Sequence, residues 1–160
     1  MGKYTFFFGG EFSQHYIRPF QLDGMIFNCA EQYMMASKAL LFDDMFVYNE
    51  IMNEKSPHNQ KMLGRKIKNF DKEKWELIAK YVVYRANLAK FTQHRDLYDV
   101  LMATEGTELV EASPIDTIWG IGLSESDPLI HDKANWKGTN WLGQILTLVR
   151  TDIGNSICYA

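Results

Sequence analysis

Apolar and polar positions divide the chain into a β-like opening, a run of helical segments, and a loop-rich stretch before a last helix. Tyr4-Thr5-Phe6-Phe7-Phe8 is rich in β-formers and stops at Gly9-Gly10. Pro19 to Phe27 reads as two short extended pieces about Asp23-Gly24, a dipeptide that hairpin turns favour. Asn28 then stands where an N-cap belongs, with Glu31 three residues on and good helix formers through Leu41. Further helices are expected from about Asp44 to Asn53, from Ser56-Pro57 through Asn59 to Ile67, and from Asp96 to Ala103. Asp71 is the N-cap candidate of a longer one running from Lys72 to about Thr92. Its Trp75, Ile78, Ala79, Val82, Ala86 and Ala89 fall on one face at the 3.6-residue period.

Leu109-Val110-Glu111-Ala112 and Thr117-Ile118-Trp119 read as short strands about Pro114. Residues 120–138 are loop-like, and a loop of that length is often functional. The last helix is expected from about Asn140 to Arg150, burying Leu142, Ile145, Leu146 and Val149. No repeat or linker interrupts this order. The expectation is one α+β domain over residues 1–150, helix-dominated with a few short strands, followed by a tail at 151–160.

Composition narrows the class without naming a function. The 160 residues are 46% apolar and 23% charged, enough for one packed core and unlike a disordered chain. A formal charge of −3 gives no whole-molecule attraction to DNA or anionic lipid, while leaving room for a local basic pocket. Cys29 and Cys158 are far apart and form no CxxC pair, which suits a reducing compartment. The N-terminal residues lack a signal-peptide apolar region, and no run approaches a membrane span. A soluble protein of the cytoplasm, with no membrane partner, is expected.

The common catalytic signatures are missing. His15, His58, His94 and His131 are scattered without metal-ligand spacing, so no metal is expected, and there is no GxSxG elbow, P-loop or dinucleotide fingerprint. The segment from Asn28 to Leu40 is more informative. As a helix it places Glu31 and Lys38 on one face, about 10 Å apart along the axis. Glu31 also fits a capping box after Asn28, and Lys38 also fits a surface lysine with a buried stem, so spacing alone leaves both readings open.

A second region joins Asp116 to Gly122 with Trp136 to Gly143. Gly138 before a helix start would leave backbone N–H groups facing an anion such as phosphate. Trp119, Trp136 and Trp141 would offer flat surfaces to a nucleobase, or would simply be core. Arg85, at the edge of the long helix's apolar stripe, suits either a phosphate or a carboxylate partner, and Arg65 after Gly64 is a weaker case.

The order of these pieces resembles the NADAR family, named for NAD and ADP-ribose and including the YbiA-type N-glycosidases. The matching pieces are Phe12-Ser13, Pro19-Phe20, Asp23-Gly24, Glu31-Gln32-Tyr33, Lys38-Ala39, Gly64-Arg65, Arg85-Ala86 and Lys90-Phe91. Leu109-Val110-Glu111, Asp116, Trp119 to Gly122 and Gly138 to Gly143 follow. The run Gln14-His15-Tyr16 departs from the family's usual Ser-Asn-Phe or Ser-Asn-Tyr.

The resemblance implies a YbiA-like fold and hydrolysis of an N-glycosidic bond to ribose, with no cofactor. The expected substrate is an ADP-ribosylated guanine in DNA, RNA or nucleotide. The alternatives are phosphorylated ribosylamino-pyrimidine intermediates of riboflavin synthesis, and an ADP-ribose reader without hydrolysis. Cleaving a base from C1 of ribose develops oxocarbenium character, which a carboxylate stabilises or meets with an activated water. On this resemblance Glu31, Lys38 and Asp116 are the catalytic candidates. Ser13, Arg85, Trp119, Gly120, Gly122, Gly138 and Asn140 are the candidates for binding the sugar, base and phosphates. Lys38 would protonate the leaving group or attack C1 to give a Schiff base.

Overall fold

The computed structural model describes residues 2–158. In chain order its elements are β1 (Tyr4–Phe7), β2 (Phe20–Leu22), β3 (Met25–Phe27), α1 (Ala30–Leu41), α2 (Met45–Asn53), α3 (Pro57–Gly64), α4 (Lys72–Gln93), α5 (Arg95–Met102), β4 (Glu108–Glu111) and α6 (Trp141–Cys158). Short 3₁₀ turns lie at Gly10–Phe12, Pro128–His131 and Lys133–Asn135. This is the helix-dominated α+β class that the pattern predicts. Residues 14–93 form one compact unit, and residues 2–13 with 94–158 form another.

In the first unit, β2 and β3 pair antiparallel across Asp23-Gly24. Both turn residues are left-handed, with φ of 54° and 76°, as a two-residue type I′ hairpin requires. Asp44 and Ser56 cap α2 and α3 by accepting from Val47 and Asn59 N–H, and Asp71 accepts from Glu73 and Lys74 N–H at the start of α4. Asp71 stands as the sequence places it, and Asp44 and Ser56 stand at the helix starts the sequence predicts.

α1 differs from its expected start. Its N-cap is Cys29, which makes no side-chain cap bond, so Glu31 stands one position too early for a capping box. Gln32 does the reaching back, its side-chain oxygen accepting from Asn28 N–H at 2.8 Å. α1 is also buried all round from Ala30 to Ala36, because α2, α3 and α4 all pack against it. A helix enclosed this way carries no amphipathic stripe.

In the second unit, β1 pairs parallel with β4 in the register Tyr4 to Glu108 through Phe7 to Glu111, and α6 packs on β4. Val110, Ala112, Ile121, Leu123 and Ile130 form its buried cluster, against which Tyr4, Phe6 and Trp136 lie. Arg150 reaches from α6 to the Thr104 and Thr107 carbonyls at 2.8 and 2.6 Å and ties down the turn between α5 and β4.

Two expectations fail here. Thr117-Ile118-Trp119 is not a strand but a run of turns, because Asp116 Oδ1 draws in the Ile118 and Trp119 N–H groups at 2.9 and 2.8 Å. The last helix does not stop at Arg150 but continues to Cys158 through part of the expected tail, whose residues 159 and 160 lie outside the described ones. Among the described residues, no helix is long and apolar enough to cross a membrane.

Candidate functional site

The expected catalytic pair lies in the first unit. Glu31 occupies the first turn of α1, where its backbone N–H donates to the Gln14 carbonyl at 2.9 Å. Its carboxylate is nearly enclosed and lies 3.7 Å from His15 Nε2. An anion at a helix N-terminus is electrostatically favoured, which offsets part of the cost of burying it. Burial holds His15 below the usual imidazole range, and the neighbouring Lys61 and His58 act the same way.

Lys38 stands two turns further along α1. Its Nζ donates to the Gly64 carbonyl at 3.1 Å and lies 4.4 Å from the centre of the Phe70 ring. A side chain at Gly64 would overlap Met35 Sδ, so glycine there lets the end of α3 approach α1 closely enough to receive Lys38. Burial is the largest influence on this amine and lowers its pKa, Glu31 opposes that shift, and Arg65 adds to it. The result is an amine that loses its proton more readily than an exposed lysine.

A buried polar network supports this pair. Asn87 of α4 donates to Gln14 Oε1 at 2.8 Å and to the Val83 carbonyl at 2.9 Å. Gln14 thereby links α4 to the start of α1. Gln60 donates to Asn28 Oδ1 and the Glu54 carbonyl and accepts from the Cys29 thiol. Burial pushes that thiol up to about 11, which leaves Cys29 protonated and inert. Lys90 of α4 is wholly buried, with Nζ 5.4 Å from the centre of the Tyr16 ring. His15, Gln14, Gln60 and Asn87 are absent from the expected site residues. A signal for Asn87 and Lys90 was present, since with Val83 they make a second face of α4 beside the predicted stripe.

Arg85 is engaged differently from a phosphate ligand. Its two terminal nitrogens donate to the two oxygens of Asp23 at 2.9 and 2.7 Å, and Nη1 also donates to the Tyr33 hydroxyl. The fork that a phosphate would take is filled by a carboxylate, and the bond clamps the hairpin turn to α4. The Arg85 hydrogen bond holds Asp23 below the usual carboxylate range, with Tyr33 adding to the effect. A depressed folded-state pKa stabilises the fold above the unfolded carboxylate value, about pH 4, and the effect fades as pH falls through the lower folded value. The pair is half-exposed, so Asp23→Asn should cost only about 0.5 kcal/mol at pH 7, and that cost should shrink toward nothing once the pH lies below the folded value. Thermal melts of the two proteins across that range check the sign.

The remaining expected residues lie in the second unit. Ser13 closes the first 3₁₀ turn, its N–H donating to the Gly10 carbonyl. Asp116 is the turn-former already described, and through it the Trp119 ring is set edge-on to Trp141 with centroids 5.4 Å apart. Trp136 belongs to the core cluster, its indole N–H donating to the Ile130 carbonyl.

The phosphate cradle expected at Gly138 to Asn140 is already filled. The N–H groups of Thr139, Asn140, Trp141 and Leu142 donate to the carbonyls of Thr117, Gly120, Ile118 and Trp119. Asn140 is buried and turned inward, accepting from Glu111 N–H at 3.0 Å and donating to the Leu109 carbonyl at 3.0 Å. Gly120 and Gly138 are small because backbone crosses backbone there, whereas Gly122 has a left-handed φ of 71° and faces the Lys137 and Thr117 side chains. The backbone donors of Thr139 to Leu142 tie the loop to the start of α6. Among the described residues, no group of three His, Cys, Asp or Glu side chains is placed to hold a metal ion.

A six-helix α+β chain with a buried carboxylate and a desolvated amine on one helix is the description of a small catalytic domain. The family model for the NADAR domain matches residues 6–154, and the chain belongs to that family. The protein irg-1 of Caenorhabditis elegans is 47% identical over 130 residues, covering 79% of this chain but only 61% of irg-1. N-glycosidase R617 of Acanthamoeba polyphaga mimivirus is 39% identical over 163 residues, covering 94% of this chain and 96% of the relative. N-glycosidase YbiA of Escherichia coli is 31% identical over 144 residues, covering 90% of this chain and 81% of that protein. The NMR structure of E. coli YbiA matches with a TM-score of 0.82 and 28% identity, over 100% of this chain and 90% of the other.

Proposed function

We propose that this chain is an N-glycosidase that cleaves the bond between ribose C1 and the base in ADP-ribosylated guanine of nucleic acid or nucleotide. The observation that carries this reading is the pairing on α1 of buried Glu31 with Lys38, whose pKa burial lowers and the Glu31 charge raises. The names of R617 and YbiA support the bond class.

Glu31 faces the developing positive charge at C1 and takes a proton from the attacking water. Lys38 has two chemical courses. As an ammonium it protonates the leaving nitrogen, and as a free amine it attacks C1 and opens the ribose as a Schiff base. In the other unit, Asp116 fixes the turn that carries Trp119.

The phosphates require a cationic surface other than the start of α6. Lys61 and His58 of α3 raise the local potential at His15, and Arg65, just past α3, does so at Lys38. These groups fit an anionic ribosyl ligand better than Arg85, which Asp23 engages.

Incubation with ADP-ribosylated guanine DNA, with detection of released ADP-ribose, tests the reading directly. Release is expected. Persistence of the modification together with measurable ADP-ribose binding would instead identify a reader, and cleavage confined to ribosylamino-pyrimidine phosphates would move the substrate to riboflavin precursors. Borohydride added during turnover separates the two lysine courses: a reduced adduct at Lys38 marks the Schiff base, and its absence leaves Lys38 as the acid.

A further inference from the structure

The stretch that departs from the family pattern places an imidazole beside the candidate catalytic carboxylate, and the function above gives it no task. The two side chains differ sharply in solvent contact. Glu31 is 7% exposed, whereas His15, at 3.7 Å from it, is 40% exposed. Any proton that Glu31 gains is therefore cut off from water on its own side and has a titratable neighbour that reaches water.

We propose that His15 is the proton exit of the site, carrying to solvent the proton that Glu31 takes from the attacking water. The proposal rests on the N-glycosidase reading. The water oxygen bonds to C1, or to the C1 of the Schiff base if Lys38 has already displaced the base, and one water proton moves to a Glu31 oxygen. In direct displacement the C1–N bond breaks with its electron pair on the leaving nitrogen, which gains a proton from the Lys38 ammonium, and Lys38 regains that proton from solvent. In the Schiff-base course the base leaves as the Lys38 amine attacks, taking up the proton that the amine gives off, and water later releases the amine from C1. Each turnover thus leaves Glu31 protonated. Transfer to His15 Nε2, followed by loss of that proton to bulk water, restores the carboxylate without oxidant, reductant or cofactor.

The surroundings suit fast release. His15 is faced by Glu31 from α1, by His58 and Lys61 from α3, and its neighbour Tyr16 lies under Lys90 from α4. Two of those groups are positive or protonable and destabilise an imidazolium, while the carboxylate attracts the proton in the first place. Burial adds to the same lowering, so at neutral pH the ring is mostly neutral and ready to accept. The network from Asn87 through Gln14 to the Glu31 backbone N–H keeps the two residues in register.

His15→Gln keeps polarity and approximate size but carries no proton at any working pH. Steady-state kinetics in dilute buffer should show kcat reduced about 10²-fold, with KM within about twofold, and added imidazole should restore most of the rate. Full kcat in His15→Gln overturns the proposal, as does a loss that imidazole leaves unrestored. A wild type that cleaves no ribosylated base overturns the parent reading and this proposal together, while wild-type cleavage with full kcat in the variant removes the shuttle alone. NMR titration of the imidazole gives a check that needs no turnover: the His15 midpoint should fall in Glu31→Gln, and an unmoved midpoint counts against the shuttle.

Discussion

Replacing Glu31 by Gln is expected to leave ADP-ribose binding measurable and to lower turnover by about 10³-fold or more, within the range that positioned acid–base groups contribute. The substitution keeps the side chain's size in a buried place and removes only the charge and the basic oxygen. The first turn of α1 keeps its backbone bonds in the variant, since the Glu31 N–H donates to the Gln14 carbonyl and Gln32 reaches back to Asn28 N–H. Loss of rate with unchanged melting temperature and retained binding separates a chemical role from a structural one. Full activity in the variant would remove Glu31 from the mechanism. The same variant shifts Lys38, whose pKa loses the upward pull of the carboxylate, so a Schiff-base course would still allow slow adduct formation.

The second large effect is on stability. A methyl group at Gly138 would overlap the Gly120 carbonyl oxygen and lie 2.6 Å from Thr117 Cα, all of it backbone that cannot rotate away. Gly138→Ala must therefore force apart the loop that caps α6. Overpacking of this kind costs about 3 kcal/mol, which lowers Tm by about 6–12 °C in a chain of this size. Gly154→Ala is the contrasting control, since its new methyl would meet only Met102 Cε of α5 at 3.6 Å, an ordinary contact. Alanine's helix preference should make that variant more stable by about 0.5–1 kcal/mol. Equal melting temperatures for the two variants would contradict the packing described at Gly138.

Local chemistry made most of the fold readable. The Asp23-Gly24 turn, the helix starts at Asp44 and Ser56, the cap at Asp71 and the stripe on α4 are each set by residues close in sequence, and each stands where it was expected. Readings failed where a distant partner decided the outcome. Thr117 to Trp119 have strand-forming side chains, yet their carbonyls are taken by the start of α6 and their N–H groups by Asp116. The contact of the Asn140 amide with β4 is likewise one that nothing in its sequence neighbourhood reveals. In the candidate site, the helical repeat placed Glu31 and Lys38 together. The partner of Glu31, His15, comes from a segment whose conformation no periodicity specifies, and so it escaped notice.

The pairing of β1 with β4 also bears on how the chain is made. Residues 14–93 are contiguous and contain their own hairpin and four helices, so this unit has all its parts as soon as Gln93 leaves the ribosome. β1 has no such opportunity. Its parallel partner follows about a hundred residues later, as the Thr5 to Thr107 hydroxyl contact spans, and closing that separation is entropically slow. During synthesis the row of unpaired strand groups from Tyr4 to Phe7, with two phenylalanines and Phe8 just beyond, waits exposed until Glu108–Glu111 arrives. That interval, more than any step within the first unit, is when nascent chains are open to mispairing and to capture by chaperones.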